Sequence, residues 1–202
     1  MIITKIEKTG KKCRLYLNDA PAFCLYPSEV RKLRLKEGED LDQEHFAEIC
    51  TQILEKRAEK RCLLILQKAD QTQRQLRDKL TADEYPEQVI EKAMEYVRSY
   101  GYVDDLKYAC RYIENMQETR SVLRMKTDLL KKGIAAGIIE DALEKAEHTN
   151  EKDQIRRLLE KRHYDPSGAT PKERQKMIRF LLGRGYRYDQ ISKEIDIDEQ
   201  QV

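Results

Sequence analysis

The chain has no tryptophan, three phenylalanines and three histidines, and few helix breakers: eight glycines and five prolines in 202 residues. Leu, Lys, Glu and Arg dominate instead, a composition that favours helix. Its five cysteines (13, 24, 50, 62 and 110) are odd in number and never form a Cys-x-x-Cys pair. That pattern argues against a disulfide framework or a zinc site and fits a reducing compartment. The longest apolar run, Cys62 to Leu66, is far too short to span a bilayer. The N-terminus lacks a cationic start followed by an apolar run, so no signal peptide is read there. These absences predict a soluble, cytoplasmic protein with no membrane partner.

Catalytic patterns are missing too. His45, His148 and His163 stand alone, with no Cys or carboxylate at ligand spacing, and are expected at the surface or its boundary. Gly183-Arg184-Gly185 has neither a P-loop nor a dinucleotide context. Asp104-Asp105 are neighbours on a helix start and do not face each other, so capping explains them better than acid–base work. Ser, Cys and His never approach a nucleophile pattern. No catalytic residue, cofactor or metal is expected, and the chain reads as a binding protein, not an enzyme.

Charge is abundant. Charged residues make up 38% of the chain, against about 25% in an average globular domain. A string of small helical units needs that much because its surface-to-volume ratio stays high. Net charge is only +2, but residues 151–193 hold 12 Lys/Arg against 6 Asp/Glu, while residues 1–60 hold 12 against 11. Glu194 to Val202 carries four acidic residues and no basic one. A basic C-terminal face attracts nucleic acid or an acidic protein groove. A merely solvated helical surface gives the same pattern, and both readings stay open.

Three short β-prone stretches, 2–8, 13–17 and 22–26, are bounded by Thr9-Gly10, Asn18-Asp19 and Pro27. They predict a three-stranded meander with Cys13, Leu15, Leu17, Phe23 and Leu25 inward, too small to stand without a helix against it. A short helix follows to about Leu35. From Asp42 the period becomes helical, with Phe46, Ile49, Ile53 and Leu54 on one stripe and one long helix, or two nearly continuous ones, to about residue 68. Asp70 is read as the cap of a helix over 71–82, and Pro86 as the opening of another that runs to Tyr100. Further helices are predicted from Asp104 to a loop near Gln117–Thr119, over about 121–132 (inward Leu123, Met125, Leu129 and Leu130), from Ala135 or Ala136 to about Ala146, over roughly 151–162, and from Thr170-Pro171 to the joint at Gly185-Tyr186 (Met177, Ile178, Leu181 and Leu182), with a short last one from Tyr188.

The helices repeat. Leu76, Leu80, Tyr85, Ile90 and Met94 correspond to Met125, Leu129, Ile134, Ile139 and Leu143 at an offset of 49, and to Met177, Leu181, Tyr186, Ile191 and Ile195 at a further 52. Stop-and-restart joints mark the pattern: Gly101-Tyr102 before Asp104-Asp105, Gly133-Ile134 and Gly185-Tyr186. Glycine past a helix end takes the left-handed conformation, and the next residue packs back on the helix just left. The first copy has Glu84 where the others have glycine, which predicts a looser or differently shaped joint. Gly101 is read as a hinge between the first two units. The expected organisation is a β-meander and short helix (1–41), a connecting helix (42–61) and helical repeats over 62–103, 104–148 and 149–198.

Gly101-Tyr102-Val103-Asp104-Asp105, Tyr108-Ala109, Arg124 through Asp128-Leu129 to Lys131-Lys132-Gly133-Ile134, and Leu76-Arg77-Asp78-Lys79-Leu80 resemble the RecX regulatory protein family. Arg179-Phe180-Leu181-Leu182-Gly183-Arg184-Gly185-Tyr186 with Ile191 resembles its third repeat. The resemblance covers about 62–198, and the β segment resembles an extension found in some members. It implies a mainly α fold of three tandem three-helix repeats in an elongated, curved array behind a small N-terminal β-meander. It also implies a non-catalytic monomer that binds the RecA recombinase filament on single-stranded DNA. Such proteins block filament growth or promote disassembly, restraining ATP hydrolysis, strand exchange and SOS co-protease activity. Weak binding to single- or double-stranded DNA is expected beside it. Contact residues are sought among the basic residues of the middle helices: Arg120, Arg124, Lys126, Lys131 and Lys132 in the second repeat, and Arg174, Lys176, Arg179 and Arg184 in the third. An autonomous DNA-binding helical protein and a helical scaffold for an unrelated partner remain as alternatives.

Overall fold

The computed structural model describes residues 1–146 and 150–195. His148, the repeat boundary at 148/149 and the acidic tail from Asp196 lie outside them. The chain divides between Asp104 and Asp105 into two compact units. The fold is mainly α: a three-stranded antiparallel sheet followed by three-helix repeats.

In the N-terminal unit, β1 (Ile3–Thr9), β2 (Lys12–Leu17) and β3 (Ala20–Leu25) form the expected meander, in sheet order β1-β2-β3. Asn18 and Asp19 both take positive φ, as a two-residue hairpin turn requires. Leu15, Leu17, Phe23 and Leu25 point inward and share one core with Ile49, Leu54 and Ala58. The helix that a lone meander needs is therefore supplied from the same unit. It comprises α2 (Gln43–Ile49), a π-helical stretch (Cys50–Glu55) and α3 (Lys56–Leu66), all helical without interruption. The expected boundary at 61/62 falls within α3. Arg57 ties this helix to the sheet by donating to the Cys24 carbonyl at 3.2 Å and pairing with Glu29 of α1 (Pro27–Lys32).

The first repeat is α3 with α4 (Gln73–Ala82) and α5 (Glu87–Ser99). In the C-terminal unit, α6 (Asp105–Met116), α7 (Val122–Lys131) and α8 (Ala136–Lys145) form the second repeat. The third is α9 (Glu151–Lys161), α10 (Pro171–Leu182) and α11 (Tyr188–Ile195). Of the fifteen template positions, all are buried except Tyr85, which is half-buried. The second and third repeats have separate small cores, each with eight buried apolar residues. Burying one such side chain contributes roughly 1.5–3 kcal/mol. Cores this small are marginal alone, so contacts with a neighbouring repeat matter to stability.

Four sequence expectations are corrected. The cap of α4 is Thr72, not Asp70: its hydroxyl accepts from Gln75 N at 3.2 Å while Gln75 Oε1 accepts from Thr72 N at 3.1 Å, a reciprocal capping box. Leu123 and Leu130 are more than half exposed and Leu182 is exposed as well. Met125, Leu129, Met177 and Leu181 are buried in their cores and Ile178 packs against the third, because helical geometry brings one stripe inward and those exposed leucines lie off it. After Gly101, the residue that enters the core is Val103. Tyr102 is 51% exposed and stacks on Tyr100, ring centroids 5.8 Å apart.

Glu84 is the fourth position at which the structure departs from expectation. It takes the same left-handed conformation as the glycines, φ +63° against +84° at Gly133 and +88° at Gly185. The closing hydrogen bonds match too: Tyr85 N to Leu80 O at 3.3 Å, Ile134 N to Leu129 O at 3.2 Å and Tyr186 N to Leu181 O at 3.3 Å. The first joint is thus neither looser nor reshaped. A glutamate holds there because Arg14 of β2 clamps its carboxylate in two bonds, one of 2.6 Å, and the Cys24 thiol donates to it at 3.1 Å. Removing the clamp and removing the strain should therefore separate. Glu84→Ala keeps the strained backbone and loses the pair, costing about 1 kcal/mol. Glu84→Gly loses the pair but relieves about 1–2 kcal/mol of left-handed strain, leaving stability nearly unchanged. Urea unfolding at neutral pH distinguishes the two; equal losses would remove the strain from the account.

Candidate functional site

The middle helices α7 and α10 carry the basic residues singled out in the sequence, and their surroundings differ sharply. On α7, Arg120 and Arg124 converge on one largely buried carboxylate, Asp128. Arg124 Nε lies 3.2 Å from Oδ1, Arg120 pairs with Oδ2, and the Tyr112 hydroxyl donates to Oδ2 at 2.9 Å. Arg120 also donates to the Tyr112 oxygen at 2.8 Å. Burial pushes the Asp128 carboxyl up, but Tyr112, Arg124 and Arg120 together outweigh it and hold the group below its ordinary value. Burial, then Asp128, raises Tyr112. These two arginines are framework cations.

Lys126 pairs with Glu140 of α8 at 2.8 Å. The same bridge stands one repeat earlier, where Arg77 pairs with Glu91; the offset of 49 holds for both partners. In the third repeat those positions are Ile178 and Ser192, so the bridge is absent there. Lys132 lies over the rings of Tyr108 and Tyr112, at 5.7 and 5.9 Å. Lys131 is exposed on the last turn of α7.

On α10, Arg174, Lys176 and Arg179 are exposed, and Arg179 Nε donates only weakly to Gln175 O, at 3.4 Å. Arg184 is different. Its guanidinium carbon stacks 3.7 Å from the Phe180 ring centroid, and that of Arg162, past the end of α9, stacks at 3.8 Å. Two guanidinium planes that close cannot share a face, so the ring is sandwiched between them. Arg162 and Lys161 escaped the sequence reading, which followed only the middle helices. The signal available was the run Lys161-Arg162-His163 at the close of α9.

The joints position these faces. At Gly185 the second and third repeats touch: Ser121, the cap of α7, donates its hydroxyl to the Gly185 carbonyl at 2.7 Å, and its N–H donates to Arg184 O at 3.1 Å. A Cβ on Gly185 would meet Ser121 Oγ and Arg124 Cβ, both at 2.6 Å. Val122 N adds a bond to Glu151 at the start of α9, 3.0 Å. Tyr186 is buried and donates to Gln154 Oε1 at 3.0 Å; burial raises its hydroxyl to about 12. Ile134 is buried behind Gly133. Gly101 has positive φ but open space around it, and Asp105, buried, begins α6 directly after Asp104. Glu194 points inward and is held by Arg156 at 2.6 Å and Lys152 at 3.7 Å, so it belongs to the third repeat's framework, not to an acidic tail. Among the described residues no group of three or more His, Cys, Asp or Glu is placed to hold a metal, and no helix is long and apolar enough to cross a membrane.

Comparison with known proteins agrees with this architecture. Residues 58–96 match the family model for the first three-helix domain of RecX, and residues 150–195 that for its third. The chain is 30% identical over 199 residues to the regulatory protein RecX of Clostridium acetobutylicum, covering 95% of this chain and 93% of that protein. Identity to the RecX of Clostridium tetani is 27% over 200 residues, covering 96% and 93%. A crystal structure of regulatory protein RecX matches with a TM-score of 0.60 at 27% identity, over 98% of this chain and 99% of that one. The crystal structure of RecX from Lactobacillus salivarius shares the fold, with a TM-score of 0.56 at 23% identity over 71% of this chain and 96% of that one. Matched along nearly its whole length, with the repeat template buried as the pattern requires, the chain belongs to the RecX family of regulatory proteins.

Proposed function

We propose that this protein binds the RecA filament on single-stranded DNA and inhibits or remodels it, restraining recombination, ATP hydrolysis and SOS co-protease activity. The observation that carries this reading is the near full-length similarity to proteins named as RecX regulators. The repeat surface supports it. Tandem helical repeats offer extended binding surfaces, and Lys131 of the second repeat and Lys176 and Arg179 of the third stand exposed, where a polyanionic filament attracts them. The protein acts as a cytoplasmic monomer by binding, without chemistry of its own and without a cofactor.

Titration into recombinase on single-stranded DNA tests this through the rate of ATP hydrolysis. The rate should fall with added protein, and an unchanged rate at micromolar excess would sink the proposal. Within the surface, Arg124 is the wrong residue to reverse, since it braces Asp128. The triple change Lys131→Glu, Lys176→Glu and Arg179→Glu should instead weaken inhibition by about tenfold or more and leave helix content intact. Full inhibition by that variant would take these cations out of the interface.

A further inference from the structure

Several cations of the C-terminal unit lie beside a carboxylate: Arg120 and Arg124 by Asp128, Lys126 by Glu140, Lys152 and Arg156 by Glu194, Arg187 by Asp189. A cleft of about 490 Å³ between the second and third repeats gathers cations of another kind. Lys161, Arg162, His163 and Arg184 rim it, Thr119 closes one side, and Leu158 with Phe180 forms an apolar floor. Among the described residues no carboxylate pairs with Lys161, Arg162 or Arg184, and the buried Arg184 Nε has no acceptor. Burial first, then the neighbouring Arg162 cation, holds Arg184 below the ordinary guanidinium value, the mark of a charge without a counter-ion. A second pocket beside Phe180 is lined by Asp165 and Glu173, whose carboxylates accept hydroxyl hydrogen bonds and pair with none of these cations. Asp165 accepts from Ser167, and Glu173 accepts from Thr170.

Lys161 and Arg162 are exposed, whereas Arg184 Nε is buried without an acceptor, and an anion in the cleft would supply one. The Phe180 sandwich holds both guanidiniums flat and pre-oriented, so their N–H forks are presented with little further loss of side-chain freedom. Several oxygens on one centre suit two forks and an ammonium together. The apolar floor beneath a cationic rim suits a ligand that is anionic at one end and apolar at the other. We infer that this cleft binds the phosphate group of a nucleotide unit, with Arg162, Arg184 and Lys161 as its ligands, the Phe180 ring holding the two guanidiniums apart, and Leu158 beneath the sugar. The phosphate comes either from a single-stranded nucleic-acid backbone or from a free nucleoside phosphate. The inference deepens the proposed function, by naming the chemistry that one part of the repeat surface takes from a DNA-bearing filament.

The test uses the full chain without recombinase, so its failure is separate from failure of the inhibition assay. Binding of a fluorescent single-stranded oligonucleotide is measured for the wild type, for Lys161→Gln with Arg162→Gln, and for Lys8→Gln with Lys11→Gln on the β1–β2 hairpin of the N-terminal unit. The two variants lose equal charge, and both pairs of side chains are exposed, so folding is preserved and checked by circular dichroism. The cleft variant should bind about tenfold more weakly and lose about 1.4 from the slope of log K against log salt, with the hairpin variant within about twofold of wild type. Competition by a nucleoside triphosphate identifies a site open to free nucleotides; competition by oligonucleotide alone identifies the polymer backbone as the source. Equal losses in the two variants overturn the assignment. So does a glutamate-rich peptide that displaces the oligonucleotide at matched charge concentration, since the cleft would then be reading carboxylates.

Discussion

Replacing Gly185 with alanine is expected to destabilise the C-terminal unit by about 3 kcal/mol. Two costs add. The backbone there sits at φ +88°, which costs a residue with a Cβ about 1–2 kcal/mol. The new methyl would also press on Ser121 Oγ and Arg124 Cβ at 2.6 Å and on the Arg124 backbone at 3.3 Å. Relief requires moving the start of α7, which breaks the Ser121–Gly185 hydrogen bond and overpacks the contact, at about 1–3 kcal/mol. Gly101→Ala provides the control. Its φ is +67° but no atom lies within 4 Å of the new methyl, so the loss should be about 1 kcal/mol. The chain has no tryptophan, so thermal unfolding is followed by far-ultraviolet circular dichroism. Gly185→Ala should lower the midpoint by roughly 5–10 °C and Gly101→Ala by a third of that. Equal shifts would mean that the close approach between repeats carries no energy.

Asp128→Ala is the second large effect, about 2 kcal/mol. Breaking a fully buried charge pair costs about 3–5 kcal/mol, but Arg120 and Arg124 are partly exposed and recover some solvation, so the figure is discounted. Tyr112 loses its acceptor as well. The contribution is pH-dependent with a definite sign. The folded carboxyl titrates below its unfolded value. Its stabilisation is therefore fully present above the unfolded value, about 3.9, and is lost as pH falls through the lower folded one. Wild type and Asp128→Ala should differ most at neutral pH and converge under acid. A gap in urea midpoint that persists unchanged at pH 2 would show that shape, not charge, made the difference.

The repeat was legible because it rests on apolar periodicity, which burial enforces. Leu76 differs in type from Met125 and Met177, yet each is the inward position of a second helix. The joints at Gly133 and Gly185 were legible, while the residue that packs after Gly101 and the shape of the joint at Glu84 were misjudged. Glu84 adopts the glycine conformation because Arg14, seventy residues earlier, holds its carboxylate, and no local pattern announces that partner. The same blindness affected the basic residues. Arg124, Lys126 and Arg179 are all cations on middle helices, and nothing in their spacing separates a brace on Asp128 or a bridge to Glu140 from an exposed charge.

What the sequence determined by itself is the class of fold, the family and the register of the three repeats. Side-chain period and turn chemistry are local, so they can be read along a single chain. Only the tertiary structure decided which cations are spent on internal carboxylates and which remain available. It also decided that Arg162 and Arg184 meet across Phe180, and that Gly185 must lack a side chain because α7 begins against it. Each of those facts depends on a partner brought close by folding from a distant part of the chain. Electrostatic pairing and steric contact fall off within a few ångströms, so they answer to distance in space and leave no periodic trace along the chain.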